Sequence, residues 1–315
     1  LLLFLQALNG KIARADNRSD AIILPSTLVA VIDYVRPTLY WGNGKYAGPV
    51  DIWNPNKGFL IQSTNPESYN LNFPTTGAHN LYFDLLITGD IEELTWEPVT
   101  HEGITATVTN VVANDVGVPR EDRGQVVTRV RLTGPEASNQ WDNPNPRRIT
   151  VPRLPQTFEL VGRDIYGGEV VKYGFVLRQW FVHRSGPLIT SHHRSSQEKT
   201  YSDQLAWCNS LGYRIPRVRD LTNSICSNLG ATPSCTSSDY GNHYTRHIGA
   251  GFFAEWGSMY DYTDAGFAND GFWTSDPHYG GAKFGVDSSA GGGHRARNDG
   301  GDIADAVRAV ICTAP

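Results

Sequence analysis

Residues 249–276 read GAGFFAEWGSMYDYTDAGFANDGFWTSD, a run in which aromatic and acidic side chains crowd between glycines around the chain's only methionine, Met259. Its apolar positions follow neither the 3.6-residue period of a helix nor the two-residue alternation of a strand. The segment is therefore predicted to be a long ordered loop, folded over a core and held by its own side chains. Trp256 and Trp273, with Trp207 upstream, are assigned to that core, because large aromatic side chains are mostly buried. The middle, residues 258–270, is expected to vary freely and to carry recognition.

The flanks of this loop predict an α+β unit. Upstream, Thr200 can cap a helix with Asp203 at its third position; Leu205, Cys208 and Leu211 form one stripe, and Gly212 ends it. Pro216 opens a second helix, with Val218, Leu221, Ile225 and Leu229 on one face and Gly230 as its stop. Downstream, strands are expected at 272–275, 283–288 and 306–312. Helices early and strands late in residues 179–315 resemble the C-type lectin-like fold.

All four cysteines, Cys208, Cys226, Cys235 and Cys312, fall in this unit. An even number without a C-x-x-C pair predicts two disulfides and an oxidising compartment rather than a thiolate metal site. Three pairings are possible; Cys226 with Cys235 and Cys208 with Cys312 is the simplest, each bridge worth on the order of 3 to 5 kcal/mol.

Residues 16–178 have a different texture. Short alternating or apolar runs at 21–24, 28–34, 58–63, 81–88, 105–112, 125–133, 157–161 and 169–177 are separated by turn clusters such as Trp41-Gly42-Asn43-Gly44 and Asn54-Pro55-Asn56. Strands at this spacing with no helix between them predict an antiparallel β-sandwich. In 125–133, Val126, Thr128, Val130 and Leu132 share one face, the core face, while Val127, Arg129, Arg131 and Thr133 are expected on a mostly wet one. The domain boundary is placed near Arg178.

The net charge of -5 and 19% charged residues describe an ordinary surface, without the basic patch of a nucleic-acid binder. Gly (32) and Pro (18) favour turns. No apolar run approaches the ~18 residues of a membrane span. Residues 1–15, LLLFLQALNGKIARA, combine an apolar stretch with Ala13-Arg14-Ala15, which resembles a secretory cleavage site; they are read as a truncated signal or fragment edge.

Several separated motifs carry a family resemblance. The run from Tyr201 through Trp207-Cys208 to Pro216, Glu255-Trp256-Gly257 and Phe272-Trp273-Thr274-Ser275 is similar to the lectin-like domain of intimin/invasin-family bacterial outer-membrane adhesins. Asn72-Phe73-Pro74-Thr75-Thr76-Gly77, with Ala78 and Phe83, resembles the segment that opens the immunoglobulin-like domain preceding it. The resemblance implies a mainly β chain: an immunoglobulin-like sandwich, especially over 71–178, followed by a C-type lectin-like tip. It further implies an extracellular or cell-surface location and a host or surface protein receptor, with a glycan as the alternative ligand and a structural rod cap as the second alternative.

The motifs that sugar-binding C-type lectins use around calcium are not matched. Residues 178–315 hold Ala268-Asn269-Asp270 without the preceding Trp and no Glu-Pro-Asn, and Asn298-Asp299-Gly300-Gly301-Asp302 reads as a turn. His243-x-x-x-His247 lacks the glutamate of a zinc helix and lies among glycines, and His192-His193 reads as a solvated pair. No cofactor, metal or enzymatic activity is expected. Recognition is assigned to exposed members of the loop, Tyr260, Asp261, Tyr262, Asp264 and Phe267, and to late turns carrying His278, Tyr279, Arg295 and Arg297.

Overall fold

The computed structural model describes residues 30–185 without 90, 92 and 116, then 200–224, 243–277, 283–291, 293–296 and 307–314. The strand expected at 21–24, residues 1–15, Cys226, Cys235 and His192-His193 lie outside them.

The N-terminal half contains β1 (Val31–Arg36), β2 (Trp53–Asn54), β3 (Gly58–Leu60), β4 (Thr76–Ala78), β5 (Tyr82–Thr88), β6 (Thr95–Trp96), β7 (Val99–His101), β8 (Ile104–Val112), β9 (Val126–Thr133), β10 (Gln156–Arg163) and β11 (Glu169–Leu177). Seven of these form one sheet in the order β2-β3-β1-β5-β9-β8-β7, and β11-β10-β6 form a second, with antiparallel pairing in both. Phe83 of the first sheet and Phe158 and Phe175 of the second are fully buried, with Phe175 in edge contact with Phe83 at 5.9 Å. This is the mainly β sandwich that the alternating pattern predicts.

The expected wet face of β9 is only half wet: Arg131 and Thr133 are half-buried, and Val126, expected on the core face, is exposed. Val127 and Arg129 are buried. Arg129 donates from Nε to Asp84 at 2.8 Å, pairs with Asp115 through Nη2, and lays its guanidinium over the Tyr82 ring at 4.0 Å. Arg36 of β1 reaches the same Asp84 at 3.6 Å. Paired guanidinium groups can be buried where an isolated one cannot, so the face closes over an ion-pair cluster.

The C-terminal half contains β12 (Gln179–Arg184), α1 (Tyr201–Leu211), α2 (Val218–Leu221), α3 (Phe252–Trp256), β13 (Gly271–Pro277), β14 (Lys283–Asp287), β15 (Gly293–Ala296) and β16 (Val307–Thr313). Helix α1 follows its sequence signals: Thr200 and Asp203 exchange capping bonds of 3.2 and 2.9 Å, and Gly212, at φ 90°, closes it. Cys208 on α1 is bridged to Cys312 on β16, Cα atoms 5.6 Å apart. The second helix is shorter than predicted. It ends at Leu221, because Thr222 turns extended and donates its hydroxyl to the Gly291 carbonyl, while Asn223 bonds Thr245.

The third sheet runs β15-β14-β13-β16-β12-β4. Its last strand comes from the other half of the chain. Thr76, Gly77 and Ala78 of β4 pair in parallel with Gln179, Trp180 and Phe181 of β12, so the segments divided at Arg178 share a sheet. They also share one continuous hydrophobic core.

Candidate receptor-binding surface

Helix α3 supplies the Glu255-Trp256-Gly257 motif, and each of its residues meets the sandwich half or makes room for a residue that does. The Glu255 carboxylate is fully buried; it accepts from the Thr75 hydroxyl at 2.7 Å, the Thr76 hydroxyl at 2.5 Å, both backbone N–H groups of that pair, and the Gly249 N–H at 2.8 Å. Burial pushes this carboxyl above its usual range, and these hydrogen bonds oppose that shift. Trp256 donates its indole N–H to the Thr76 carbonyl at 3.0 Å, and its ring lies 4.9 Å from that of Phe73 and 6.2 Å from that of Phe83. Burying such a side chain contributes on the order of 4–6 kcal/mol. Gly257, at φ 81°, leaves space for Arg246: a Cβ there would sit 2.3 Å from Nη1. Arg246 is fully buried over Trp53 at 4.4 Å and donates to the Thr38 carbonyl at 2.7 Å.

The middle of the loop then folds back onto the sandwich instead of projecting. Asp261 is buried and accepts the Thr38 hydroxyl proton at 2.7 Å. Tyr262 is buried; its hydroxyl accepts from the Thr38 N–H and donates to the Trp256 carbonyl, both at 2.9 Å, and its ring meets Tyr82 edge-on at 5.1 Å. Phe267 is buried, stacked on His183 at 4.0 Å. Exposure was expected at all three, and sequence could not exclude it because their partners Thr38, Tyr82 and His183 are remote in the chain.

Tyr260 and Asp264 remain exposed. Asp264 pairs with Arg131 at 3.0 Å, and its carbonyl accepts from Asn80 at 3.0 Å. Arg295 lies on β15 opposite Phe284 of β14. His278, Tyr279 and Arg297 lie outside the described residues. Among the described residues no group of three or more His, Cys, Asp or Glu side chains is placed to hold a metal, and no helix is long and apolar enough to cross a membrane.

The fold adds residues that sequence reading passed over. Among the described residues the exposed aromatic side chains are Tyr40, Trp41, Tyr166 and Tyr260. Three of these four sit on segments that meet at Thr38, whose hydroxyl oxygen accepts from the Tyr40 N–H at 3.3 Å while donating to Asp261, the neighbour of Tyr260. From Tyr40 the rings continue to Trp41 at 5.0 Å, Tyr46 at 4.9 Å and His243 at 4.9 Å. Trp41 is held at φ 53°, a left-handed conformation unusual for a bulky residue. The sequence showed there only a glycine turn preceded by two aromatics.

Among solved structures, a bacterial integrin-binding protein, invasin, aligns at 12% identity with a TM-score of 0.46 over 91% of this chain. A C-terminal 282-residue fragment of intimin, in complex with the intimin-binding domain of the translocated intimin receptor, aligns at 11% identity and 0.41 over 90% of this chain and 66% of its own. The chain is similar to invasin and intimin. An intimin mutant of EHEC O157:H7 aligns at 12% identity and 0.38, over 83% of this chain and 92% of that intimin. The chain spans 39% of the length of the invasin structure. No protein-family model and no curated protein matches it.

Proposed function

We propose that this chain is the receptor-binding end of a bacterial cell-surface adhesin of the intimin/invasin type, acting by binding rather than catalysis. The observation that carries the reading is that three of the four exposed aromatics among the described residues, the paired rings of Tyr40 and Trp41 and the side chain of Tyr260, lie on two segments, one from each half of the chain, that the Thr38–Asp261 hydrogen bond joins. Exposed aromatic clusters on rigid supports are what protein-binding hot spots are made of. The left-handed backbone of Trp41 costs on the order of 1–3 kcal/mol, and strain of that size is characteristic of functional positions. Asp261, Tyr262 and Arg246 all bond Thr38 between the two segments, so that little ordering entropy is lost when a partner binds. The partner is a protein receptor on a host or neighbouring surface, and Asp264 and Arg131 supply a charged rim to the contact.

The test is adhesion of beads coated with the chain to cultured host cells. A Tyr40→Ala, Trp41→Ala and Tyr260→Ala triple variant is expected to keep the melting temperature within about 4 °C of the parent, as surface changes do, and to lose adhesion. A variant that melts normally and still adheres fully overturns the assignment. A glycan array run with and without chelator separates the receptor classes, since a protein receptor leaves it blank.

A further inference from the structure

A pocket of about 370 Å³ opens between α1, α2 and β13, and its wall carries a small excess of positive charge. Arg214, Arg217 and Arg219 line it with the carboxylate of Asp220, and that of Asp276 lies beside it on the Val218 N–H, which gives three positive groups to two negative in a chain whose net charge is -5. Leu205 and Ile215 form an apolar side.

The basic groups are presented by a braced scaffold. Arg214 donates from Nη1 to Asp220 at 2.7 Å, and Asp220 also accepts from the Gln179 side chain at 3.1 Å and the Arg217 N–H at 2.8 Å. The backbone of Arg214 is bridged to Thr313 in both directions, and the Pro216 carbonyl accepts from the Ser275 N–H at 2.8 Å. The Val218 N–H is taken by Asp276 at 2.7 Å. Asp220 is thus committed to fixing Arg214. Among the described residues neither Arg217 nor Arg219 has an acidic partner, and both are exposed.

We infer that this pocket binds an acidic segment of a protein, taking a carboxylate side chain between Arg217 and Arg219 and a neighbouring aliphatic side chain against Leu205 and Ile215. Guanidinium groups match carboxylates through paired N–H donors, and such charge-assisted bonds gain strength where solvent is partly excluded. The volume is at the small end of ligand pockets and suits side chains. The aliphatic wall favours an acidic peptide over a sulfated polysaccharide, which has no apolar group to place there. The lining shares no residue with the surface around Thr38.

Fluorescence anisotropy of the full chain tests this with a blocked, fluorescein-labelled hexapeptide of alternating aspartate and leucine. The asparagine–leucine hexapeptide serves as control and heparin as the polysaccharide arm. The acidic peptide is expected to bind, to weaken as salt rises from about 50 to about 500 mM, and to lose at least about tenfold affinity in an Arg217→Glu/Arg219→Glu variant. Both positions are exposed, so the variant's melting temperature reports that it is folded. No binding of the acidic peptide, equal binding of the asparagine peptide, undiminished binding to the variant, or heparin binding with the peptide silent each overturns the inference. The assay uses no cell or receptor, so its failure leaves the adhesion reading intact, and failed adhesion leaves the pocket untouched.

Discussion

The Glu255 carboxylate accepts the Thr75 hydroxyl proton at 2.7 Å across 180 residues of sequence. Two motifs that sequence similarity treats as marks of separate domains are therefore the two sides of one contact. Thr75 and Thr76 supply hydroxyl and backbone donors, and Glu255 is the acceptor that they enclose.

Replacing Glu255 with Gln keeps the shape and removes the charge, but turns an amide N–H₂ toward groups that are themselves donors. The expected loss is about 2–4 kcal/mol, read from urea denaturation of parent and variant. A change below about 0.5 kcal/mol, the size of an ordinary surface substitution, would mean that the clasp contributes little.

Adjacent tyrosines should behave in opposite ways. Tyr262→Phe removes the hydroxyl that joins the Thr38 N–H to the Trp256 carbonyl, leaving a buried donor without its acceptor, and should cost about 1–3 kcal/mol. Tyr260→Ala, at a half-exposed position, should stay within about 0.5 kcal/mol. Equal effects in thermal melts would contradict the burial difference.

The Cys208–Cys312 bridge closes 104 residues of chain. By loop entropy its removal in a Cys208→Ala/Cys312→Ala variant should cost about 4–5 kcal/mol. Denaturation with and without reductant checks this: reductant should destabilise the parent towards the variant. A parent indifferent to reductant, with no free thiol released, would mean that the bridge is not what reductant reaches.

His183 gives a pH prediction. Burial pulls its imidazole down from 6.5 to about 4; the neutral ring is held by contacts of 2.8 Å with the Ser185 hydroxyl and 2.9 Å with the Ala265 carbonyl. Between those values the unfolded chain binds a proton that the folded chain refuses, so stability is full above about pH 6.5 and falls as pH drops towards 4, by up to about 3 kcal/mol. A His183→Gln variant should lose less on acidification. Parallel stability–pH curves for parent and variant would remove His183 as the cause.

Much of the fold was legible locally. The Thr200–Asp203 cap, the Gly212 stop and the alternation of β8 and β10 each depend on residues a few positions apart, and local chemistry settles them. The short strand β4 was missed because three residues with no alternation carry no period; its place comes from β12, about a hundred residues on. The wet face predicted for Arg129 failed for a related reason, since Asp84 and Asp115 can be recognised as its partners only once β5 lies beside β9.

Residues 249–276 show the division most clearly. The sequence by itself determined that Trp256 and Trp273 lie in a core, because side chains of that size leave water wherever the chain allows it; the unbroken loop expected there is instead interrupted by helix α3 and ended by strand β13. Only the tertiary structure decided which core Trp256 enters and which face of the loop is wet. Trp256 lies among Phe73 and Phe83 of the sandwich, and Thr38, Asn80, Tyr82 and Arg131 draw the loop's middle down onto that half, leaving Tyr260 and Asp264 outside. The physical reason is that burial of a polar loop requires partners for its hydrogen bonds, and here those partners come from strands and turns more than a hundred residues earlier in the chain.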